Sequence, residues 1–297
     1  MTDTLNLDTI RQQIQKLESV PMVPAILRPL MTQLNRPPEH VQIEVLVELV
    51  GCENSLTAKC LQMANSAMFG RSKPVTTIRG AVIALGVQRL RAILLSACIV
   101  DMFRTTAGDI DATVLWEHSF ACALVCQQFA RKIRYPDPEK AYLAGLLHDI
   151  GLILGTVVYP NELQNAFALS KSKSLPLQEA EQATFGLTHC ETGAVVAEEW
   201  HLPPEVAEVI RFHHSKEFAD HPDVVAIVHL CDTLCQLGGL GFGFPLMVQV
   251  DFLEDPAWQA VLKSRPELGK LDLARFTFEL ESYFAEVKKM VAVLFRT

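Results

Sequence analysis

Apolar residues recur at intervals of three and four along nearly the whole chain, and alternating runs of strand type are rare. That periodicity predicts an all-α fold. The stripe Phe276, Leu280, Phe284, Val287, Val291 and Leu294, with Asp272 near its start, marks a last amphipathic helix that packs back on the body. Ile10, Ile14 and Leu17 mark a helix near the N-terminus, and Leu56, Cys60 and Met63 another, opened by Asn54 or Ser55 as N-cap. Prolines at 21, 24, 37, 38 and 74 punctuate the first hundred residues. The stretch TTAGDIDAT at 105–113 reads as a junction. The expected division is an N-terminal helical subdomain over 1–108 and a second over 109–297 that includes the C-terminal helix. Helices are expected there over 115–132, 139–154, 176–200 and 204–235, with Gly155, Gly186 and the HLPP at 201–204 as breaks. No internal repeat has a fixed period.

Composition narrows the classes of function. With 49% hydrophobic and 20% charged residues in 297, the chain has material for a packed interior. The apolar stretch AILLSACIV at 92–100 stops at Asp101, short of the roughly 20 residues a membrane span needs. The N-terminal MTDTLNLDTIRQQ lacks the basic start and apolar middle of a secretory signal, so a cytoplasmic location is expected. The eight cysteines lie in apolar helical segments and are expected to be reduced. Cys122/Cys126 and Cys231/Cys235 are four apart, share a helix face and read as core rather than as a CxxC-type site. A net charge of −8 disfavours a global nucleic-acid footprint. Locally, residues 71–104 carry six basic side chains (Arg71, Lys73, Arg79, Arg89, Arg91, Arg104) against Asp101, a balance of +5. TTIRGAVIALGVQRLRAIL at 76–94 has the small residues and central turn of a helix-turn-helix, but the same arginines suit an acidic protein partner, and nucleic acid is not the favoured one. The glycines of LGGLGFGFP at 237–245 are followed by Pro245 where a phosphate loop needs a helix N-terminus, so a surface loop is expected.

The chemistry concentrates around LLHDIG at 146–151, where His148 and Asp149 interrupt an apolar run. His118, His189, His213, His214 and Asp232 fall in the same second block, residues 109–297. Imidazole with carboxylate suits a first-row transition metal, and a shared cation is one reason to place ionisable groups inside an apolar body. Neighbours on a helix diverge by about 100°, so His148 and Asp149 serve one centre only if it lies between their directions, as it would with Asp149 bridging two ions. His213 and His214 raise the same question; one ring could instead hold substrate or an outer water. The intervals match no short local motif such as HExxH.

Several stretches together carry a family resemblance: SVPMVPAILRPLM at 19–31, NSLTAKCLQMANSAMFG at 54–70, TTIRGAVIALG at 76–86, AGLLHDIGLILG at 144–155, and FGLTHCETGAVVAEEWHLPPEVAEVIRFHH at 185–214. The chain resembles the HD superfamily of metal-dependent phosphohydrolases and, within it, the HDOD family of output domains in bacterial signalling proteins. The resemblance covers most of residues 15–235. It implies an HD-like helical core packed against an N-terminal helical subdomain. It also implies that His118, His148, Asp149 and Asp232 occupy the minimal metal positions, while His189, His213 and His214 match the additional histidines of two-metal phosphodiesterases. One or two divalent transition ions are implied, with iron, manganese, zinc, cobalt and nickel undistinguished. Relatives of the HD-GYP type that cleave cyclic di-GMP carry a lysine right after HDIG and a glycine-rich segment after the paired histidines. This chain has Leu152 and SKEFADHPDV at those places, and leucine cannot donate to a phosphate.

Two functions follow as expectations. The first is a cytoplasmic regulatory module of bacterial signalling that binds a signalling protein or a nucleotide-type ligand. No receiver or kinase segment is recognisable in the sequence, so input is expected through a partner or small molecule. The second is an active phosphohydrolase on a cyclic dinucleotide or nucleotide, with Asp149 bridging the ions and orienting water, and His189, His213 or His214 donating to the leaving oxygen.

Overall fold

A computed structural model of the chain describes residues 6–19, 40–51, 57, 61, 64, 65, 74–86, 112–215, 222–242, 254–266 and nine positions between 275 and 288. The expected junction at 105–113, the proposed helix of Leu56, Cys60 and Met63, and Arg71, Lys73, Arg89, Arg91 and Arg104 lie largely or wholly outside the described residues. The fold is all-α, with no strand among the described residues.

The chain divides into two compact units. One comprises Lys16–Thr105 with the last two residues. Within it, helix α2 (Ile43–Gly51) packs on α3 (Ile78–Leu85), and Leu46, Val50, Ile78 and Ala81 are buried. Asn65 ties the entry to α3 from both sides: its amide donates to Val75 O at 2.7 Å and its oxygen accepts from Val75 N at 2.6 Å.

The other unit comprises Met1–Gln15 and Thr106–Phe295. It begins with most of α1 (Leu7–Ser19), capped by Asn6 Oδ1 accepting from Thr9 N, with Ile10 and Ile14 buried. Its body is built on α4 (Ala112–Lys132), which packs along α5 (Pro138–Leu147). Asp137 caps α5 by accepting from Lys140 N, and Pro138 sits at its first position, where a missing N–H costs nothing. α6 (Ile150–Val158), α7 (Pro160–Lys173) and α8 (Leu177–Phe185) follow, then α9 (His189–Glu199) and α10 (Pro204–Phe212). α11 (Pro222–Leu237) returns against α4, and α12 (Pro256–Ser264) closes on α11. Trp258 of α12 and Phe129 of α4 are fully buried with ring centroids 6.5 Å apart; each such side chain contributes roughly 1.5–3 kcal/mol by leaving water. Of the C-terminal stripe, Leu280, Phe284 and Val287 are described and buried.

Three expectations need correction. The helix expected over 139–154 is two helices, because the backbone turns at His148 and Asp149. Gly155 is no break; it lies inside α6, where a Cβ would meet the Tyr159 ring at 2.8 Å, so glycine is needed for contact rather than for a turn. The helix expected over 204–235 is also two, with His213 and His214 just past the end of α10. Gly186 does break the chain, at φ +79.

Among the described residues, one run, Pro138–Val158, has the length and mean hydropathy (1.7) of a membrane span. It is longer than the apolar stretch at 92–100, but it lies mostly buried within the protein and is interrupted at 148–149.

Candidate metal centre

The turn that separates α5 from α6 resolves the geometric difficulty of adjacent ligands. Asp149 leaves helical geometry (φ −97, ψ 20) and serves as the first residue before α6, so it and His148 turn toward the same interior. α6 then passes directly over the start of α9. A Cβ on Gly151 would collide with the His189 carbonyl oxygen and lie 2.8 Å from Gly193 N, so this crossing requires glycine at Gly151. Gly193 answers from α9, where a Cβ would meet Ile210 at 2.7 Å. The HDIG stretch thus supplies two polar side chains and the space that brings His189 beside them.

His189 opens α9 behind a capping box, in which Thr188 N donates to Glu191 Oε2 and Glu191 N donates to Thr188 Oγ1. His118 projects from α4 and Asp232 from α11, and both are buried. All seven residues singled out in the sequence meet in one place. Asp149, His189, His213 and His214 offer donor atoms within 4.8 Å of one another, and so do His118, His148 and Asp149. Asp232 joins through His118, its Oδ1 lying 3.1 Å from His118 Nε2.

Asp149 divides the cluster in two. Its Oδ2 faces His148 Nε2 at 3.2 Å and His118 Nε2 at 3.7 Å; its Oδ1 faces His213 Nε2 at 3.4 Å and His189 Nε2 at 3.5 Å. Two donors each ~2.1 Å from one ion, at ordinary coordination angles, stand ~3.0–3.4 Å apart. The contacts at 3.2 and 3.4 Å have that spacing, and those at 3.5 and 3.7 Å lie just beyond it.

The outer hydrogen bonds fix which nitrogen faces inward. His118 Nδ1 donates to Leu240 O at 2.8 Å, His148 Nδ1 to Gly145 O at 2.8 Å, and His213 Nδ1 to Val209 O at 3.0 Å. His189 Nδ1 donates to Glu181 Oε2 at 2.7 Å, and the same oxygen accepts from His189 N at 3.0 Å. A carbonyl or carboxylate on Nδ1 requires the proton there and leaves Nε2 to the centre. The Nε2 atoms of His118, His148, His189 and His213, and Oδ1 of Asp149, are buried without a hydrogen bond; the inward contacts lack the alignment of one. Buried polar atoms are rarely left so, and five around one point fit a cation.

The electrostatics agree. Burial pushes the Asp149 carboxyl up, but the surrounding imidazoles, His148 first, hold it well below its usual range. Asp232 is likewise held low against burial, by His118. Burial would lower His189, yet Glu181 draws it well above an ordinary histidine. His213 is raised despite burial by Cys190 and Asp149, whereas His214 is lowered by burial and by His213 and His189. This pattern belongs to a negative interior that holds positive charge.

Four contributors escaped the sequence reading. Glu181 is fully buried and orients His189. Its signal was present: it shares the inward stripe of α8 with Ala180 and Phe185, a carboxylate where the pattern asks for carbon. His229 Nδ1 donates to His213 O at 2.7 Å, and Gln236 Nε2 donates to Asp232 Oδ1 at 2.8 Å. The fourth is Leu240, whose carbonyl orients His118 while the Phe242 ring stands 4.8 Å edge-on to it. The described start of the glycine-rich stretch is therefore a wall of the centre rather than simply a surface loop; residues 243–245 lie outside the described residues.

Fold and site together define a helical domain of the HD type. The profile of the HDOD domain matches residues 20–216, and the chain belongs to the HDOD family. The crystal structure of an HDOD domain protein of unknown function from Geobacter sulfurreducens is similar at 30% identity, covering 97% of this chain and 98% of that one, with a TM-score of 0.83. A candidate phosphohydrolase from Shewanella amazonensis shares the fold at 23% identity and a TM-score of 0.71, over 94% of this chain and 97% of that one. A curated relative from Treponema pallidum is 27% identical over 205 residues, which are 67% of this chain; the match spans 38% of that relative's length.

Proposed function

We propose that this chain is a cytoplasmic regulatory module of bacterial signalling whose HD-like core holds one or two divalent transition ions and answers to a signalling protein or a nucleotide-type ligand, rather than to nucleic acid. His118, His148, Asp149 and Asp232 would hold one ion, and Asp149, His189, His213 and His214 the other. The observation that carries the centre is the division of the Asp149 carboxylate, each oxygen facing a different pair of imidazoles whose inward nitrogens have no hydrogen bond.

Leu152 supports regulation over turnover. It follows HDIG directly and is fully buried, so that position contributes neither charge nor donor to a bound phosphate. The division of Asp149 also favours a second reading, metal-dependent phosphohydrolysis of a nucleotide or cyclic dinucleotide. Bound ions would lower the pKa of a coordinated water and polarise a phosphate. This chain's own part would be to orient that water with Asp149 and to give a proton to the leaving oxygen from His189, His213 or His214.

Elemental analysis of the purified full chain tests the centre: one or two equivalents of a transition ion, lost in Asp149→Ala, is the expected result, and a metal-free protein that takes up none defeats it. Release of product from a cyclic dinucleotide or nucleotide by the loaded protein, abolished in Asp149→Ala, would replace the regulatory reading with the catalytic one.

A further inference from the structure

A cavity of about 500 Å³ beside the histidine cluster is walled by Leu7 and Arg11 of α1 as well as by Cys190, Glu198 and His214. Cys190 Sγ lies 4.0 Å from His213 Nδ1, so the cavity reaches the edge of the cluster. The α1 wall has a hold of its own kind. Along Leu7–Gln15 the buried side chains are Ile10 and Ile14, one turn apart, and Leu7 is exposed. The polar part of the hold falls on the last two residues of α9: Arg11 Nη2 donates to Glu198 Oε2 at 2.7 Å, Arg11 Nη1 to Glu199 Oε1 at 2.5 Å, and Gln15 Nε2 to Glu199 Oε2 at 3.2 Å.

Such a hold is easily released. Exposed ion pairs contribute little and are screened by salt, and a helix this short does not persist in water without its packing. Two buried side chains make a narrow apolar stripe for that packing. Glu198 also has a second cation within reach, since its Oε1 lies 3.7 Å from Arg211 Nη2 on α10. When Arg11 leaves, Glu198 therefore keeps a partner. We propose that Leu7–Gln15 is a lid: docked, it limits access to Cys190 and His214, and released, it opens the cavity and the edge of the histidine cluster to solvent. Its regulatory use rests on the centre proposed above; the lid itself does not, because Cys190 reports it whether or not the chain retains metal. Past Gln15 the same helix continues into Lys16–Ser19, which belong to the other unit, so an event there reaches the lid through one helix.

Two rates measured on the full chain test the lid: hydrogen exchange of the amides over Leu7–Gln15, and alkylation of Cys190 at one fixed pH, both read by mass spectrometry. In the wild type the lid should exchange at least ~10-fold faster than α4, as a segment that opens locally does. Arg11→Ala and Glu199→Gln break the latch from opposite ends and leave Ile10 and Ile14 in place. Each is expected to raise both rates together, about fivefold for Arg11→Ala and less for Glu199→Gln, the size of an exposed pair. Cys122 and Cys126, fully buried on α4, should keep their wild-type rates. One substitution removes a positive charge and the other a negative one, so an effect of charge on the thiol would slow labelling in the first and speed it in the second, whereas loosening speeds it in both. Exchange of the lid no faster than that of α4, faster exchange without faster alkylation, opposite changes in the two variants, or no change in either rate overturns the lid. A chain that takes up no metal yet shows the two rates rising together removes the centre and keeps the lid.

Discussion

Helices α4 and α11 carry two clusters of metal-ligand residue types about one turn apart, and the clusters behave as opposites. His118 and Asp232 enter the imidazole cluster, while Cys122, Cys126, Cys231 and Cys235 gather beside them on the same two helices. All four thiols are fully buried, Cys122 and Cys126 contact each other at 3.8 Å, and burial pushes each thiol up, Cys231 to about 11. A thiol so placed stays protonated and packs as a small hydrophobe. The imidazoles are just as buried, but their outer nitrogens are held by carbonyls and a carboxylate and their inner nitrogens have no hydrogen bond. Residue type does not distinguish a site from a core; the accounting of polar atoms does.

Removing the residue that joins both halves of the imidazole cluster should break this contrast most severely. Asp149→Ala is expected to abolish metal retention through dialysis, measured by elemental analysis, a larger effect than the ~100-fold loss that an outer partner can cause. Retention at the wild-type level would mean that the ion is not held by the carboxylate that joins the two halves. Next in size is a difference among the cysteines themselves. Cys190 is nearly buried, which pushes its thiol up, but His213 and His189 draw it down to about 6. In metal-free protein its alkylation rate should rise with pH through about 6 and then level off. At pH 7 it should exceed the rates at Cys122, Cys126, Cys231 and Cys235 by at least ~100-fold, read by peptide mass spectrometry. Uniform labelling would remove the electrostatic half of the comparison.

A smaller effect isolates the outer hydrogen bond. Glu181→Gln keeps the shape of the side chain and an acceptor for His189 but removes the charge, and should weaken metal binding ~10-fold, the low end for an outer partner. Competition with a chromophoric chelator measures it. An unchanged affinity would show that Glu181 only fills space.

Glu181 also marks the limit of what the sequence disclosed. The all-α class was legible because helical periodicity is local, and Ile10, Ile14, Leu280 and Val287 are buried as their stripes required. His148 and Asp149 were conspicuous because polar side chains interrupted an apolar run, and Glu181 sends the same signal more faintly from a short helix. Convergence was not legible. Nothing in the intervals separating 118, 148, 189, 213 and 232 says that five segments meet; the family resemblance supplied that. The turn at 148–149, the close passage of Gly151 over the His189 carbonyl, and the use of the Leu240 carbonyl depend on contacts distant in sequence, and no local pattern encodes them.

The smallest expected effect tests the thiol side of the comparison. Cys126 packs where α4 and α5 approach most closely: a Cβ on Gly145 would lie 2.8 Å from its sulfur and 3.1 Å from Ala123 Cα. Cys126→Ala deletes one buried sulfur and leaves a cavity smaller than those of leucine truncations, so the cost should be about 1–2 kcal/mol, read as a lower denaturation midpoint. Metal content should stay at the wild-type value, because the sulfur contributes packing and no ligand. Loss of metal in this variant, with the fold retained by circular dichroism, would mean that the seam between α4 and α11 is one continuous centre whose thiols hold the imidazole end in place.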